Sequence, residues 1–359
     1  MPFVILILIL FLILLLVFDF PQFGKAPKGD RLQRIKNSPN FKNKKFQNLS
    51  HTPDLKEGVT YFDILKKYAT TSSVNKKPEK VLPAIKFDLK NNTDKEPFIV
   101  WFGHSSYFLQ IDNLKILVDP VFSGSAAPFS FMVKSFNGAD LYSVDDMPEL
   151  DVLLITHDHF DHLDYKTVKK LLPKVKKVIT SLGVGSHLEH WGYKKENIVE
   201  LDWHETTTVS QNVSFTATPS RHFSGRTFER NTTLWSSFVL KTPQLNLFLG
   251  GDSGYDSHFK SIGEKYGPFD LAILECGQYN DYWHYIHMMP NEVVLAAQEL
   301  NAKQLLPVHW GKFKLSLHDW DEPINEVYKH AENANLKLLH PKIGEKLLFT
   351  ANEAQQKWW

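Results

Sequence analysis

Residues 150–162 read Leu-Asp-Val-Leu-Leu-Ile-Thr-His-Asp-His-Phe-Asp-His, an apolar run followed at once by histidines and aspartates. The apolar part predicts a buried β-strand, and a segment just beyond such a strand has rigid support. In an extended segment His157 and His159 point to the same side, whereas the following turn aims Asp161 and His162 at a second point. This spacing favours two neighbouring metal ions over a polar loop that contains histidines by chance.

Three more potential metal ligands follow apolar runs elsewhere in the chain. His222 follows Val-Ser-Phe-Thr-Ala-Thr-Pro-Ser-Arg, Asp252 follows Leu-Asn-Leu-Phe-Leu-Gly-Gly, and His309 follows Gln-Leu-Leu-Pro-Val. Taken alone, each is more often a capping, core or turn residue. Such residues at four strand ends of one chain are difficult to assign to chance, so we expect them to meet at one site.

The composition is that of a globular protein. The chain has 359 residues, of which 43% are hydrophobic and 23% are charged, and this excludes collagen-like, low-complexity and wholly disordered proteins. Its 41 Lys and Arg residues nearly balance 40 Asp and Glu residues, which argues against a protein that coats nucleic acid. The single cysteine, Cys276, excludes an intrachain disulfide and a cysteine-rich zinc module.

Residues 3–18 are an unbroken apolar run, and with Met1 and Pro2 the uncharged stretch reaches 18 residues. As a helix this stretch would span about 27 Å, close to the thickness of a hydrocarbon core. A cleaved signal peptide is the alternative, but no Lys or Arg precedes the run and no small-residue cleavage site follows it. We therefore predict an uncleaved, single-pass transmembrane anchor in residues 1–20.

Residues 21–96 are rich in Pro, Asn and Lys and predict a basic arm or linker, with a short helix near Tyr61–Tyr68. Residues 21–50 carry eight Lys or Arg and one Asp, a net charge of +7, and residues 1–20 carry one Asp. Because the whole chain has a net charge of +1, residues 51–359 have a net charge of −5. The basic stretch would lie among anionic lipid head groups. By the positive-inside rule, the rest of the chain would then lie on the cytoplasmic side.

From residue 97 to residue 359, short apolar runs alternate with helical patterns. Strands that alternate with helices predict an α/β layered core, and about 260 residues suit one domain. The helical patterns cover Tyr165–Leu172, Gly185–Trp191, Asn291–Leu300 and Ile324–Ala334.

From Phe98 to Phe349 the sequence resembles the metallo-β-lactamase superfamily. The resemblance rests on His-Asp-His-Phe-Asp-His, Gly-Gly-Asp-Ser-Gly at 250–254 and Pro-Val-His-Trp-Gly at 307–311. Thr-Leu-Trp-Ser-Ser-Phe at 233–238 and Ile-His-Met-Met-Pro-Asn-Glu at 286–292 are similar to the branch that contains N-acyl-phosphatidylethanolamine-hydrolysing phospholipase D and its bacterial membrane-associated relatives. The resemblance implies a four-layer αββα sandwich with metals at one edge.

The resemblance also implies a ligand set for two zinc ions per chain. One ion would be held by His157, His159 and His222, the other by Asp161, His162 and His309, with Asp252 bridging both. Such N/O ligands suit Zn²⁺, although other divalent metals also fit, and a hydroxide shared by two ions is a nucleophile at neutral pH. Two features distinguish this sequence from the antibiotic-hydrolysing enzymes of the superfamily, namely a bridging Asp252 and a cysteine that follows an apolar strand. We therefore do not expect β-lactam hydrolysis.

Five further residues have two interpretations each. His104 either orients a metal ligand or is a buried structural histidine, and Asp119 either orients a ligand histidine or caps a turn. His287 lies where the family carries a histidine near the leaving group, and it either protonates a departing alkoxide or is an ordinary residue at a helix start. Tyr282 and Trp283 either line an acyl-chain groove or belong to the core.

The sequence therefore predicts a membrane-anchored zinc phosphodiesterase. Its substrate would be N-acylated phosphatidylethanolamine or a similar phospholipid, and its products phosphatidic acid and an N-acylethanolamine. The alternatives are a tethered lactonase or cyclic phosphodiesterase with a soluble substrate, and a binding protein on the same fold. We expect the phospholipid and the membrane as partners, and no nucleic acid. The sequence leaves the oligomeric state, the acyl-chain preference and the physiological metal open.

Overall fold

The computed structural model describes residues 18–70, 75–349 and 355–359. In chain order the strands are β1 (Phe41–Lys42), β2 (Lys45–Phe46), β3 (Phe98–Trp101), β4 (Tyr107–Ile111), β5 (Leu114–Val118), β6 (Leu150–Ile155), β7 (Val175–Ser181), β8 (Ile198–Leu201), β9 (Thr206–Ser210), β10 (Val213–Thr218), β11 (Ser237–Lys241), β12 (Asn246–Leu249), β13 (Leu271–Glu275), β14 (Gln304–Val308), β15 (Lys337–Leu338) and β16 (Lys346–Leu348). The α-helices are α1 (Gly29–Asn37), α2 (Tyr61–Thr70), α3 (Tyr165–Leu171), α4 (Gly185–His190), α5 (His258–Tyr266), α6 (Pro290–Glu299) and α7 (Glu322–Asn333).

Two seven-stranded sheets form the centre of the fold. The first sheet has the order β16-β3-β4-β5-β6-β7-β8, and the second has the order β15-β14-β13-β12-β11-β10-β9. In the first sheet β5 to β8 run parallel, and in the second β12 to β15 run parallel. Parallel neighbours end at the same edge of a sheet, and in α/β proteins ligands bind beyond such carboxyl ends.

Side chains alternate between two cores, as the two-residue period of a strand requires. In β3, Ile99 and Trp101 belong to the core that also contains side chains of the second sheet. Phe98 and Val100 belong to a second core, which contains side chains of helix α3. Helix α3 therefore packs on the outer face of the first sheet, and the inner faces of the two sheets pack against each other. The predicted α/β sandwich is confirmed.

The four predicted helices of the domain are present, with ends shifted by at most two residues, and the apolar runs before His157, His222, Asp252 and His309 contain strands β6, β10, β12 and β14. Two helices were missed. Helix α1 buries only Ile35, so it shows no sustained apolar period. Helix α5 buries His258, Phe259, Ile262 and Gly263, a face that includes a histidine and a glycine and that therefore gives a weak hydrophobic signal.

The basic arm expected in residues 21–96 lies against the sandwich. Ile35 and Phe46 are buried in a small core with Trp235 and neighbouring side chains of the domain. The Nε atom of Arg31 lies 2.6 Å from Glu200 Oε2, and Arg34 pairs with Glu205. Arg31 and Arg34 therefore pair with carboxylates of the domain, and the expectation that the basic stretch lies among lipid head groups stays a prediction.

The predicted anchor in residues 1–20 lies almost entirely outside the described residues, which begin at Phe18. In the ranges that the structure describes, no helix has both the length and the apolar character needed to span a bilayer.

Candidate metal centre

The loops that follow strands β6, β10, β12 and β14 carry the side chains of the predicted cluster. Strands β12, β13 and β14 are parallel neighbours, so Asp252 and His309 leave the second sheet at one edge. Gly251 lies against the end of β6, where an added Cβ would lie only 2.9 Å from the backbone oxygen of Ser236 and 3.1 Å from the Cβ of Thr156. The absence of a side chain at Gly251 therefore lets the two sheets bring their loops together.

Three histidines converge on one point. His159 Nδ1 lies 3.0 Å from His157 Nε2 and 3.2 Å from His222 Nε2. Zn–N bonds of about 2.0–2.1 Å in tetrahedral geometry separate ligand nitrogens by about 3.3–3.4 Å. The spacing of this triad therefore fits three ligands of one metal ion.

A second group lies beside the triad. His162 Nε2 is 3.6 Å and His309 Nε2 is 4.0 Å from Asp161 Oδ2. These three side chains and His104 present ligand atoms that all lie within 4.8 Å of one another. The set implied by the family resemblance for the second metal therefore comes together in space.

Asp252 lies between the two groups. Its Oδ2 is 3.1 Å from His162 Nε2 and 3.8 Å from both His157 Nε2 and His222 Nε2. Its Oδ1 is 3.3 Å from His309 Nδ1. One carboxylate thus contacts ligands of both groups, which is the position that a bridging ligand requires.

Hydrogen bonds fix the tautomers of three histidines. In each ring Nδ1 donates to an oxygen, so the proton stays on Nδ1 and the lone pair of Nε2 is left for a metal. The pairs are His157 with Thr156 Oγ1 at 3.0 Å, His162 with Asp119 Oδ2 at 2.8 Å, and His222 with the backbone oxygen of Ile286 at 2.9 Å. His309 Nδ1 lies 2.9 Å from Ser105 Oγ, a hydroxyl that can either donate or accept.

Burial favours the neutral form of His157, His159, His222 and His309. His162 is the exception, because its burial is outweighed by Asp252 and Asp161, which raise its pKa well above the ordinary value. Burial lowers the pKa of His157, His222 and His309 well below the ordinary value, and it lowers the pKa of His159 to about 4. Burial alone would raise the pKa of Asp252, but the neighbouring histidines outweigh it and lower that pKa to about 2. Neutral imidazoles and an ionised carboxylate are the forms in which these groups bind metals.

Two ligand atoms lack a well-aligned hydrogen bond. Among the described residues, the buried atoms His162 Nε2 and Asp252 Oδ1 make no hydrogen bond, although His162 Nε2 lies 3.1 Å from Asp252 Oδ2 and Asp252 Oδ1 lies 3.3 Å from His309 Nδ1. A buried polar atom without a hydrogen bond is destabilising, and a cation between these side chains would remove that cost. The donor set therefore fits a divalent metal such as Zn²⁺.

Asp119 is placed to orient His162. Its Oδ1 accepts a 2.9 Å hydrogen bond from Thr156 N, and its Oδ2 accepts from Thr156 Oγ1 at 2.6 Å and from His162 Nδ1. Thr156 in turn accepts from His157. One buried carboxylate thus sets the tautomer of ligands in both groups.

We expect Asp119→Asn to lower metal affinity by about 10–100-fold, the usual effect of losing such an orienting partner. Either orientation of the amide places its NH₂ group against a donor, namely Thr156 N–H or His162 Nδ1–H. Metal titration by calorimetry measures the loss. The matched control is Asp151→Asn at the start of β6, where the carboxylate accepts from Lys115 N away from the cluster. Equal affinities in the two variants would contradict the orienting role.

His104 is also drawn into the cluster. Its Nε2 lies 2.9 Å from Asp161 Oδ2, and its ring centroid is 4.0 Å from that of His309. The buried side chain therefore holds the Asp161 carboxylate in place. Ser105, the next residue, was missed as the partner of His309, because a serine hydroxyl in a turn has no distinctive sequence pattern.

Asp158, the remaining acidic residue of the motif, points away from the ligands. It accepts hydrogen bonds from Gly225 N at 2.7 Å and Thr233 Oγ1 at 2.8 Å, and it lies 3.2 Å from His187 Nε2. The buried Arg226 donates to the backbone oxygen of Asp158 at 2.6 Å. These contacts hold the ligand loop rigidly against the rest of the domain.

His287 lies beside the cluster. Its ring centroid is 5.1 Å from that of His222 and 5.3 Å from that of His309. Its Nδ1 is 3.5 Å from Oε2 of the buried Glu275, whose Oε1 accepts a 2.8 Å hydrogen bond from Met288 N. Burial raises the pKa of Glu275 to about 7. Glu275 was missed because it ends the apolar run Leu-Ala-Ile-Leu-Glu.

The ligand atoms open into a cavity of about 290 Å³. Trp283 lines this cavity, as do Leu55, Tyr61 and Ile64 of the arm. Tyr282 instead holds the arm in place, since its backbone oxygen accepts a 2.8 Å hydrogen bond from Lys56 N. The segment that resembles a linker in the sequence therefore forms one wall of the candidate site.

Comparison with known proteins agrees with the fold and the cluster. Residues 115–310 match the family model described as the beta-lactamase superfamily domain. The chain belongs to this superfamily. The prediction of a hydrolase with the metallo-β-lactamase fold is thereby confirmed, and its His/Asp cluster is able to bind metal.

Two relatives align with most of this chain. It is 34% identical to an uncharacterized protein of Mycobacterium tuberculosis over 90% of this chain and 87% of that protein. It is also 34% identical to the mitochondrial N-acyl-phosphatidylethanolamine-hydrolyzing phospholipase D of Saccharomyces cerevisiae, over 72% of this chain and 58% of that protein. A metallo hydrolase structure from Ignicoccus hospitalis has a TM-score of 0.54 at 19% identity, covering 70% of this chain and 97% of the other, and supports the fold.

Proposed function

We propose that this protein is a membrane-anchored, binuclear zinc phosphodiesterase of phospholipase D type. It hydrolyses N-acyl-phosphatidylethanolamine or a similar phospholipid. Water adds to phosphorus, the bond from phosphorus to the N-acylethanolamine oxygen breaks, and that oxygen takes up a proton. The products are phosphatidic acid and an N-acylethanolamine.

The cavity at the metal cluster is the observation that carries this proposal. One part of its lining consists of ligand side chains, including Asp161 and His309, and another part consists of Leu55, Ile64 and Leu315. A polar reacting group beside an apolar wall suits a substrate that combines a phosphodiester with acyl chains. The name of the yeast relative points to the same substrate class.

The chain's own residues hold the reactants and supply a proton. Two Zn²⁺ ions, when bound to the two groups that share Asp252, would act as Lewis acids toward phosphoryl oxygens and lower the pKa of a water. Because Glu275 faces Nδ1 of His287, the other ring nitrogen is left to give its proton to the departing alkoxide.

The apolar run at residues 3–18 supports membrane anchoring. A tethered enzyme meets a lipid substrate in two dimensions, which raises the local concentration of both. We place the catalytic domain on the cytoplasmic side on the basis of the Lys and Arg residues that follow the run.

The test is an assay of the detergent-solubilised full chain, with metals counted by elemental analysis. The panel contains N-acyl-phosphatidylethanolamine, phosphatidylethanolamine, a lactone and a cyclic nucleotide. We expect phosphatidic acid from the first lipid and two zinc ions per chain. Hydrolysis confined to the lactone or the cyclic nucleotide would favour a tethered enzyme of soluble substrates, and the absence of hydrolysis throughout would favour a binding protein.

His287→Ala is expected to slow hydrolysis of alkyl phosphodiesters by about 100-fold, within the range of general acid catalysis, and to spare activated aryl phosphodiesters. An aryl oxide is already stable as an anion, so it departs without a proton. Turnover of both substrate types by the variant and the parent provides the comparison. Equal losses on both would reject the role of His287 as an acid and point to a purely structural role.

A further inference from the structure

Several large apolar side chains are exposed on one part of the protein. Phe131 and Phe228 are 75% and 77% exposed, and Phe20 and Met132 are also exposed. We call these four residues the aromatic rim. Single exposed apolar residues are common, but a group of them marks an interaction site.

Ring contacts join the members of the rim. The ring centroids of Phe228 and Phe18 are 4.9 Å apart, and those of Phe18 and Phe23 are 5.0 Å apart. The ring of Phe129 is 6.2 Å from that of Phe23 and stacks on Phe131 at 5.9 Å. The rim is therefore a connected surface and not a set of scattered side chains.

The loop that carries Phe228 also reaches the metal cavity. Phe223 and Arg230 of this loop both line the cavity. The ring of Phe223 is 4.4 Å from that of His159, and Arg230 Nη1 is 2.6 Å from Asp54 Oδ2. One short segment therefore connects the exposed Phe228 of the rim with the cavity.

Helix α2 lies on the arm side of the same cavity. Tyr61 and Ile64 line the cavity, whereas Phe62 and Leu65 are 73% and 67% exposed. Within the described residues 18–70, helix α2 contributes no buried side chain. Exposed apolar side chains on one helix, next to the lysines that follow Leu65 in the sequence, are typical of a helix that lies in a membrane interface.

The position of Phe18 indicates what covers this surface. Residues 3–17 are apolar in sequence, and they join the described chain at Phe18, whose ring contacts Phe228. If those residues enter the bilayer, the rim is held next to the lipid head groups. This argument rests on the anchor of the proposed function.

We propose that the aromatic rim and the outer face of helix α2 insert into the interface of a phospholipid bilayer. The insertion places the mouth of the metal cavity against the head groups. A lipid then reaches the cluster from the bilayer along helix α2 and the loop that carries Phe228, without leaving the membrane completely.

The single native cysteine, Cys276, is fully buried, so cysteines introduced elsewhere are labelled selectively. Phe62→Cys, Phe131→Cys and Phe228→Cys in the full chain each receive an environment-sensitive fluorophore, and the chains are reconstituted in vesicles of phosphatidylcholine and phosphatidylethanolamine. The matched control is Leu295→Cys on helix α6, where Leu295 is 41% exposed. Brominated phosphatidylcholine serves as the quencher.

We expect a blue-shifted emission and strong quenching at the three test positions, and neither at the control. Emission at all four positions typical of water would overturn the proposal. A blue shift that rises with protein concentration and requires no lipid would assign the surface to a second copy of the chain, and it too would overturn the proposal.

A second readout uses the double variant Phe131→Ser/Phe228→Ser in the full chain. We expect at least a fivefold loss of N-acyl-phosphatidylethanolamine turnover in vesicles and an unchanged rate in detergent micelles. Unchanged turnover in both would overturn the docking. Insertion of the labels without any hydrolysis by the parent chain would support the docking and refute the proposed function, so the two failures are distinguishable.

Discussion

Asp252→Asn is expected to lower turnover by more than about 100-fold and to reduce the metal content below that of the parent. Loss of an outer partner of a metal ligand already costs about 10–100-fold, and Asp252 contacts ligands of both groups through one oxygen, 3.1 Å from His162 and 3.8 Å from His157. A neutral amide has nearly the same shape but lacks the charge that two cations would share.

The melting temperatures of the two chains are compared after chelation, because bound metal itself stabilises the folded state. We expect them to differ by only a few degrees, since a small stability change shifts the melting temperature by about that amount. Asp256→Asn is the control: this carboxylate lies four residues further along, 4.0 Å from Arg221 Nε. Two metals per chain together with full activity in Asp252→Asn would refute the binuclear assignment.

The sequence predicts the cluster well because its strongest signal is local. Residues 157–162 place four ligands directly after β6, and their spacing alone indicates metal binding. Asp252 and His309 follow strands β12 and β14, which flank β13 only in the folded chain, so the apolar runs before them show a strand end but not a meeting point. The family resemblance supplied that step, and the structure brings the residues together.

Other parts of the site depend on contacts between distant segments. Leu55 and Ile64 face a cavity whose ligands lie about a hundred or more residues away in sequence, so a polar arm with one short helix gave no indication of a wall. Glu275 is the last residue of an apolar strand, and its sequence pattern is that of an ordinary strand end. Long-range packing of this kind overrides local patterns.

The number of Lys and Arg residues in the arm does not show how many of them are available to bind lipid. Eight Lys and Arg residues between 21 and 50 predict attraction to anionic lipid, but Arg31 lies within hydrogen-bond reach of Glu200 and Glu189. A guanidinium paired with carboxylates of its own domain contributes less to binding a membrane. Attraction between the lysines of the arm and anionic lipid stays a prediction, and the truncation described next tests it.

Removal of residues 1–17 is expected to lower activity on bilayer substrate by about 100-fold or more at high ionic strength, because tethering raises effective concentration by about 10²–10⁴-fold. The cut keeps Pro21 and Gln22, whose backbone oxygens accept hydrogen bonds from Trp191 Nε1 at 2.7 Å and from Arg226 Nη2 at 2.6 Å. The cut also keeps every residue of the cluster, which begins at His104, so the metal content should be unchanged.

Bilayer activity of the truncated chain is measured at low and at high ionic strength. Exposed lysines near the surface each add about 1 kcal/mol of binding to anionic lipid, and salt screens that attraction, so residual activity should fall as salt rises. Turnover of a short soluble phosphodiester serves as the internal control and should equal that of the full chain. If the truncated chain processes bilayer lipid as fast as the full chain at high salt, residues 3–18 do not hold the enzyme at its substrate. The lipid-substrate proposal would then rest on the apolar wall of the cavity and the name of a relative.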